Sequence, residues 1–287
     1  MFIFCLGYTD ITLSLKNYFV HNNLPKGSGK KMLKKKWLIT SIVVVALFFS
    51  QSALAAKTFP DVDGTKYEWA AESIRSMVDK GVVSGYKDGT FKPGKTITKA
   101  EFVHMFHKLF PEINYSAGKS SEFVDARKHW AHKDFAAIFN GDYVWPFAES
   151  VWGDYPNYQF YVKPDKPLTR WDMMMIASVR TDYTNQTLHP EIDEVISSTA
   201  QYNDVKVRKA NYNDNFSAYY PVLYINKTGE EYSYDGDSQD QKAEAFYTLT
   251  KMGVLTADNG YLRPKAQVTR AEAVTLLQRL YNATTKK

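Results

Sequence analysis

Apolar residues between positions 58 and 113 recur with the spacing of amphipathic helices. Phe102, Met105, Phe106 and Leu109 are separated by three, one and three residues, which places them on one helical face. An upstream stretch predicts another helix, which Gly81 ends, with apolar positions at Trp69, Ala70, Ile74, Met77 and Val78. Residues 85–93 between them are rich in turn-forming residues, so the pattern predicts a helix–loop–helix unit.

This unit occurs three times along the chain. We place the repeats at residues 56–113, 121–183 and 200–283, and we expect them to form one mainly α domain. The distance from a lead-in aspartate (Asp61, Asp125, Asp204) to the threonine that opens the second helix grows from 37 to 44 to 65 residues. Such growth is typical of surface insertions, which we place at residues 140–160 and 206–240.

The second helix of each repeat opens with a version of one tetrapeptide. The three versions are Thr98-Lys99-Ala100-Glu101, Thr169-Arg170-Trp171-Asp172 and Thr269-Arg270-Ala271-Glu272. A threonine followed three residues later by an acidic residue predicts a capping box, which assigns capping roles to these threonines and acidic residues. The basic residue then lies beside unpaired helix N–H groups, where an anion is favoured. The tetrapeptides therefore predict repeated anion-binding sites.

A separate apolar run near the start predicts export. Lys34-Lys35-Lys36 precedes apolar residues 37–49, and Ala53-Leu54-Ala55 supplies a small-residue cleavage site. We predict a signal peptide at residues 32–55 rather than a membrane anchor, because the run is short for a bilayer span. Signal peptides begin at their basic region, so we interpret residues 1–31 as an over-extended gene model with Met32 as the true start.

Charge and cysteine content narrow the classes of partner. The chain has 36 basic and 31 acidic residues, of which residues 1–55 contain seven basic residues and one acidic residue. Cleavage after Ala55 would therefore leave 29 basic and 30 acidic residues. This balance gives no reason to expect nucleic acid or a membrane surface as a partner of the exported chain. The single cysteine, Cys5, precedes the cleavage site, so the exported chain relies on packing rather than disulfides, which fits a Gram-positive setting.

The repeat pattern closely resembles the S-layer homology domain, and the three repeats together cover nearly all of the exported chain. In the first repeat the resemblance rests on Phe59-x-Asp61-Val62, Trp69-Ala70, Ile74, Gly81-Val82, Gly85-Tyr86, Asp88-Gly89-x-Phe91-x-Pro93 and Ile97-Thr98-Lys99-Ala100-Glu101-Phe102. In the third it rests on Gly253-Val254, Gly260-Tyr261, Pro264 and Val268-Thr269-Arg270-Ala271-Glu272. The resemblance implies a mainly α, pseudo-threefold arrangement of three helix–loop–helix repeats with loop insertions.

The resemblance also implies a ligand. Members of the family anchor proteins non-covalently to a secondary polysaccharide attached to peptidoglycan, often with a pyruvylated terminal sugar, in grooves between repeats. The motif arginine meets the acid group, and its positions here are Lys99, Arg170 and Arg270. A groove-shaping role is implied for Trp69, Gly85, Tyr86, Asp88, Gly89 and Gly260.

The second repeat and Lys99 depart from the family pattern. Lys99 keeps the charge but lacks the two-pronged donor geometry that suits a carboxylate. Trp171 and Asp172 stand where alanine and glutamate are usual, and Trp171 either stacks on a sugar or blocks the site. The second repeat also lacks the Asp-Gly turn of the first.

Other chemistry is not indicated by the sequence. The pairs His104 and His107, and His129 and His132, do not match a metal-binding motif, so we predict no metal and no cofactor. The repeats occupy the chain and carry no catalytic motif, so we predict a protein that is not an enzyme.

One loop of the second repeat is crowded with aromatic residues. They are Trp145, Phe147, Trp152, Tyr155, Tyr158, Phe160 and Tyr161. If exposed, these rings suit the apolar faces of sugars, and if buried, they form a satellite core. Both interpretations stay open at the level of the sequence.

We therefore predict a secreted protein associated with the cell wall or S-layer. Its predicted function is anchoring, through a carboxylate-bearing secondary cell-wall polysaccharide held between repeats. The alternative is a surface structural or assembly protein that binds a protein partner through its insertions. A wall-active hydrolase is a third, weaker interpretation.

Overall fold

The computed structural model describes residues 58–115, 123–139, 150–152, 159–209, 221–225 and 238–285. Within them the helices are α1 (Ala71–Asp79), α2 (Lys99–Leu109), α3 (His132–Ile138), α4 (Arg170–Tyr183), α5 (Ile192–Ser198), α6 (Ser238–Lys251) and α7 (Arg270–Thr285). Strand β1 (Ser150–Trp152) pairs antiparallel with β2 (Gln159–Tyr161), and β3 (Val205–Lys209) with β4 (Pro221–Ile225). The described chain is mainly helical, as the spacing of its apolar residues predicts.

Several predicted segments lie outside the described residues. They are the signal peptide at 32–55, the residues before it, and most of the insertions at 140–160 and 206–240, including most of the aromatic side chains of the first insertion. Among the helices of the described ranges, none has both the length and the apolar character needed to cross a bilayer.

The motif helices α2, α4 and α7 begin with the same reciprocal hydrogen bonds. Thr98 Oγ1 accepts from the Glu101 backbone N–H at 3.1 Å, and the Glu101 carboxylate accepts from the Thr98 N–H at 2.8 Å. Equivalent bonds join Thr169 with Asp172 and Thr269 with Glu272. Each exchange satisfies N–H groups at the start of a helix that have no partner within it, and so fixes where the helix starts.

Glycine ends both α1 and α6. Gly81 has φ +71°, and the Val82 N–H behind it donates to Met77 O at 2.9 Å. Gly253 at the end of α6 has φ +68°, and its follower, Val254, makes the corresponding bond to Leu249. This is a Schellman ending, which glycine adopts without steric cost.

The motif helices form the centre of the packing. Helices α2, α4 and α7 contact one another, while α1 packs against α7, α3 against α2, and α6 against α4. The buried residues that precede the motif threonines are hydrogen-bonded in a closed triangle. Ile97 N–H donates to Val268 O at 3.2 Å, Val268 N–H to Leu168 O at 2.8 Å, and Leu168 N–H to Ile97 O at 2.8 Å.

Each motif helix is also bonded to the loop before another motif helix. The first two N–H groups of α2 donate to Lys166 O and Pro164 O, those of α4 to Ala266 O and Pro264 O, and those of α7 to Lys95 O and Pro93 O. These bonds run in one direction around the molecule. They bring the basic residue of one motif against the loop and helix of the next.

The lead-in aspartates hold those loops in place. The Asp61 carboxylate accepts from the N–H groups of Phe91 and Lys92 at 2.9 and 2.7 Å. Asp125 does the same for Val162 and Lys163, and Asp204 for Leu262 and Arg263. The second residue of each bonded pair has a positive φ, namely 56° at Lys92, 52° at Lys163 and 49° at Arg263.

Candidate ligand grooves

The backbone at the motif helix starts is not available to an anion. The first two N–H groups of each motif helix donate to neighbouring carbonyls, and the third donates to the motif threonine. The expectation that free helix N–H groups attract the ligand is therefore wrong. Any recognition of an acid group at the motif depends on side chains.

A groove of about 390 Å³ lies beside Arg170 at the start of α4. Its opposite wall is the segment 254–258 with helix α7, and Trp69 from the first repeat forms part of its rim. The Trp69 side chain is 55% exposed, an unusual position for so large an apolar surface. An exposed ring beside charged groups is a suitable surface for the apolar face of a sugar.

Arg170 is held firmly by the protein around this groove. Its Nε donates to Leu262 O at 2.6 Å, its Nη2 donates to Thr256 O at 3.2 Å, and its Nη1 pairs with Glu272 at 3.0 Å. The guanidinium is therefore oriented, and a neighbouring carboxylate already balances its charge.

Arg279 stands across the same groove on α7. Its Nη1 donates to Thr256 Oγ1 at 2.7 Å. Burial lowers the pKa of the Arg279 guanidinium, and the positive charge of Arg170 lowers it further. Sequence comparison with the family motif does not identify Arg279, because it lies outside the tetrapeptides and meets Arg170 only through the fold.

Arg270 lies against the first repeat in the equivalent way. Its Nη2 donates to Ser84 O, and its guanidinium carbon is 4.4 Å from the Phe91 ring centroid and 5.3 Å from that of Tyr86. Burial lowers the pKa of Arg270, against the opposing influence of Tyr86 and Glu101. The buried Nε has no hydrogen-bond partner among the described residues. Arg270 is therefore less committed to protein partners than Arg170.

The loop opposite Arg270 is shaped by the residues predicted from the sequence. Position 85 accommodates only glycine, because a Cβ on Gly85 would lie 2.5 Å from the Phe59 ring. Asp88 accepts from the N–H and hydroxyl of Thr90 at 3.0 and 2.6 Å, and these bonds lower its pKa. Gly89, with φ +82°, closes the turn by donating to Tyr86 O at 3.0 Å.

Gly260 occupies a turn of the third repeat and has φ +79°. Its carbonyl accepts from the Asn203 N–H at 2.7 Å, and a Cβ would lie 2.7 Å from the Asn203 amide nitrogen. Gly260 does not line the Arg170 groove, whereas Asp258 two residues before it does.

The surroundings of Lys99 differ sharply from those of the two arginines. The residue is 2% exposed, and its Nζ lies 3.3 Å from an Asp172 carboxylate oxygen. The space beside it measures about 10 Å³, and its wall includes Phe135 and Phe139. Trp171, which follows in the second motif, is buried at 8% exposure.

A second exposed tryptophan marks the α2–α3 side of the molecule. Trp130 is 58% exposed and packs edge-on against His104, with 5.5 Å between ring centroids. His104 and His107 each place Nδ1 beside one oxygen of Asp134, at 2.9 and 2.8 Å. No group of three or more His, Cys, Asp or Glu residues in the described ranges is arranged to hold a metal ion.

The family comparison identifies the outer parts of this arrangement. Residues 58–103 and 235–274 match the S-layer homology domain. The matched ranges contain the first and third tetrapeptides, together with Trp69, the Gly85–Gly89 loop and Arg270.

Several known proteins resemble parts of the chain. S-layer protein EA1 of Bacillus anthracis is 36% identical over 95 residues, which is 33% of this chain and 11% of that protein. A cellulosome-anchoring protein of Acetivibrio thermocellus is 31% identical over 90 residues, 30% of this chain and 20% of that protein. An amylopullulanase of Thermoanaerobacterium thermosulfurigenes is 24% identical over 243 residues, 83% of this chain and 10% of that enzyme.

The chain thus spans about a tenth to a fifth of the length of these relatives. The matches confirm the prediction of a secreted protein associated with the cell wall or S-layer. These relatives include an enzyme, the amylopullulanase, as well as an S-layer protein and an anchoring protein.

Proposed function

We propose that this chain anchors itself to the cell wall by binding a carboxylate-bearing, pyruvylated secondary polysaccharide. The observation that carries the proposal is the 390 Å³ groove, which is lined by Trp69 and by three arginines, Arg170, Arg263 and Arg279. An exposed aromatic ring suits a sugar face, and guanidinium groups suit a carboxylate. The role is one of binding, and no catalytic step is assigned to the chain.

The proposal includes three repeats in a pseudo-threefold arrangement. Support comes from the closed triangle of Ile97, Leu168 and Val268, and from hydrogen bonds that link each motif helix to the loop before another. The lead-in aspartates make the same pair of bonds in all three repeats. The second repeat, which lies outside the matched residues, shares all of these features.

We place the ligand in two grooves, those of Arg170 and Arg270. Each arginine faces a loop of another repeat, and Trp69 and Trp130 occupy corresponding positions just before the first helix of their repeats. The third position, at Lys99, offers about 10 Å³, which is too small for a sugar. The third repeat also has no tryptophan in its sequence.

Co-sedimentation with purified Gram-positive cell walls tests the proposal. The chain from Ala56 should pellet with intact walls and remain in solution once the secondary polysaccharide has been chemically removed. A Trp69→Ala/Trp130→Ala variant should bind at least about tenfold more weakly, because each lost stacking contact is worth about 1 kcal/mol. Both rings are exposed, so the fold should be unaffected.

Leu188→Ala is the matched control, because Leu188 is also an exposed large apolar residue. It should pellet with intact walls like the unmodified chain. Failure of the chain to bind intact walls from its native host would contradict the proposed function and favour protein–protein binding through the insertions. Sugar release from walls would instead favour the hydrolase interpretation.

A further inference from the structure

The Arg170 groove contains one more cation than anion. Its charged lining consists of Arg170, Arg263, Arg279, Asp258 and Glu272. Arg170 pairs with Glu272 at 3.0 Å, and Arg263 pairs with Asp258 at 2.8 Å. Within the described ranges, the contact of Arg279 is with a neutral hydroxyl, that of Thr256. The excess positive charge of the groove is therefore concentrated at Arg279.

The environment of Arg279 favours the arrival of an anion. Partial burial and the charge of Arg170 both lower the pKa of the Arg279 guanidinium, although the residue remains exposed. A ligand carboxylate would relieve the repulsion between the two guanidiniums. It would also replace part of the hydration that Arg279 loses.

An unpaired hydroxyl stands next to Arg279. Thr275 lies four residues earlier on α7, on the same helical face, and lines the groove. It is 8% exposed, and its Oγ1 has no hydrogen-bond partner among the described residues. Because this oxygen is enclosed by protein, Arg279, which is exposed, is the residue on this helical face that presents polar atoms to the groove.

We propose that Arg279 binds the acid group of the ligand in this groove, and that Arg170 is a positioning residue. This inference rests on the proposed function and deepens it. Arg170 corresponds to the motif position, yet its charge is balanced by Glu272 and its Nε, Nη1 and Nη2 all donate to protein. Arg279 keeps an unbalanced charge at the open side of the groove.

The helix position of Arg279 can be compared among the three motif helices. Nine residues after the motif base, α2 carries Lys108, α4 carries Val179 and α7 carries Arg279. Lys108 is exposed on the helix that contributes to the Arg270 side, whereas Val179 is buried on the side of Lys99. At this helix position α2 and α7 thus each carry a cation, whereas α4 carries a buried valine.

The test measures affinity for two matched methyl glycosides, a hexosamine that carries a pyruvate ketal and the same sugar without it. All proteins are the chain from Ala56 with Trp130→Ala/Arg270→Gln, which removes the second groove. Titration calorimetry should show that Arg279→Gln weakens binding of the acidic glycoside by about tenfold or more and leaves the neutral one unchanged. Arg279→Lys should recover part of the loss.

Arg127→Gln serves as the control, because Arg127 is an exposed arginine that does not line the groove. Equal loss of both glycosides in Arg279→Gln would indicate a structural role and overturn the assignment, as would unchanged affinity for the acidic one. Wall co-sedimentation is run in parallel on the same proteins and on the unmodified chain. Wall binding that Arg279→Gln does not weaken overturns the Arg279 assignment alone, whereas absence of wall binding by the unmodified chain overturns the proposed function as well.

Discussion

At the scale of single residues, the lead-in aspartates build the loops from which the grooves are made. Asp204 accepts hydrogen bonds from the N–H groups of Leu262 and Arg263 at 2.9 and 2.7 Å. Arg263 has φ +49°, a conformation that non-glycine residues seldom adopt. Two charge-assisted bonds to one buried carboxylate offset the cost of that conformation. The aspartate therefore explains why the same turn recurs without a glycine.

Asp204→Ala should lower the free energy of unfolding by about 2–3 kcal/mol, because two buried N–H groups lose a charged acceptor. Urea denaturation followed by circular dichroism measures this loss. Asp165→Ala is the control: Asp165 contacts His129, but its side chain is 82% exposed, so the change should stay within about 0.5 kcal/mol. Equal losses in the two variants would contradict a special role for Asp204.

The tetrapeptides could be found from sequence, but their environments could not. Lys99, Arg170 and Arg270 hold the same motif position, yet Lys99 is buried against Asp172 while Arg170 borders an open groove. The difference arises from residues of other repeats, such as Phe135 and Phe139, that fill the space around Lys99. The sequence pattern identifies the capping box because its hydrogen bonds join residues only three positions apart. It does not identify Arg279, whose role depends on a contact between α4 and α7.

At the scale of elements, one carboxylate joins two helices of different repeats. Asp134 on α3 contacts Nδ1 of both His104 and His107 on α2. Burial raises the pKa of Asp134, but the hydrogen bonds with His107 and His104 outweigh burial and leave the pKa below its usual range. A carboxylate with a depressed folded pKa stabilises the folded state at pH values above its unfolded pKa. The contact therefore stabilises α2–α3 packing except in acid.

Asp134→Asn should cost about 2 kcal/mol of unfolding free energy at neutral pH, because the charged acceptor is lost. The difference from the unmodified chain should shrink as the pH falls below 3.8 and through the lower folded value, where the native carboxylate becomes protonated. Urea denaturation at a series of pH values from neutral to acidic measures this difference in unfolding free energy. In Glu244→Gln, which breaks a pair with the exposed His189, no comparable loss is expected. A pH-independent difference for Asp134→Asn would contradict the argument.

Helix identity and helix limits were predictable to different degrees. The 3-1-3 spacing from Phe102 to Leu109 predicts α2, and the structure has it at Lys99–Leu109. Gly81 and Gly253 have the positive φ of helix-ending residues. These helix ends could be predicted because the preference of glycine for this conformation depends on the residue itself and not on distant contacts. The pairing of α1 with α7 and of α3 with α2 joins elements of different repeats. No local pattern specifies such long-range pairing, which follows from how three apolar faces bury one another.

At the scale of the whole molecule, the three motif helices and the loops before them are hydrogen-bonded in a closed ring. Each motif helix depends on the loop before another motif helix for its first hydrogen bonds, and the bond from Arg270 N–H to Lys95 O closes the ring. In linear repeat proteins each repeat contacts only its neighbours, so shortened arrays keep their fold. Here removal of one repeat leaves exposed apolar faces and unpaired N–H groups on both of the others.

Truncation after residue 234 should therefore abolish cooperative folding of the remainder. The loss of α6 and α7 removes the packing partners of α4 and α1, the Val268 corner of the triangle, and the acceptors of the first N–H groups of α4. Calorimetry and near-ultraviolet circular dichroism should show one unfolding transition for the chain from Ala56 and none for the truncated form. Addition of residues 235–287 as a separate fragment should restore the transition. A truncated chain that unfolds cooperatively alone would show that the repeats are independent, and the cyclic hydrogen bonds would then be a consequence of repeat packing and not its cause.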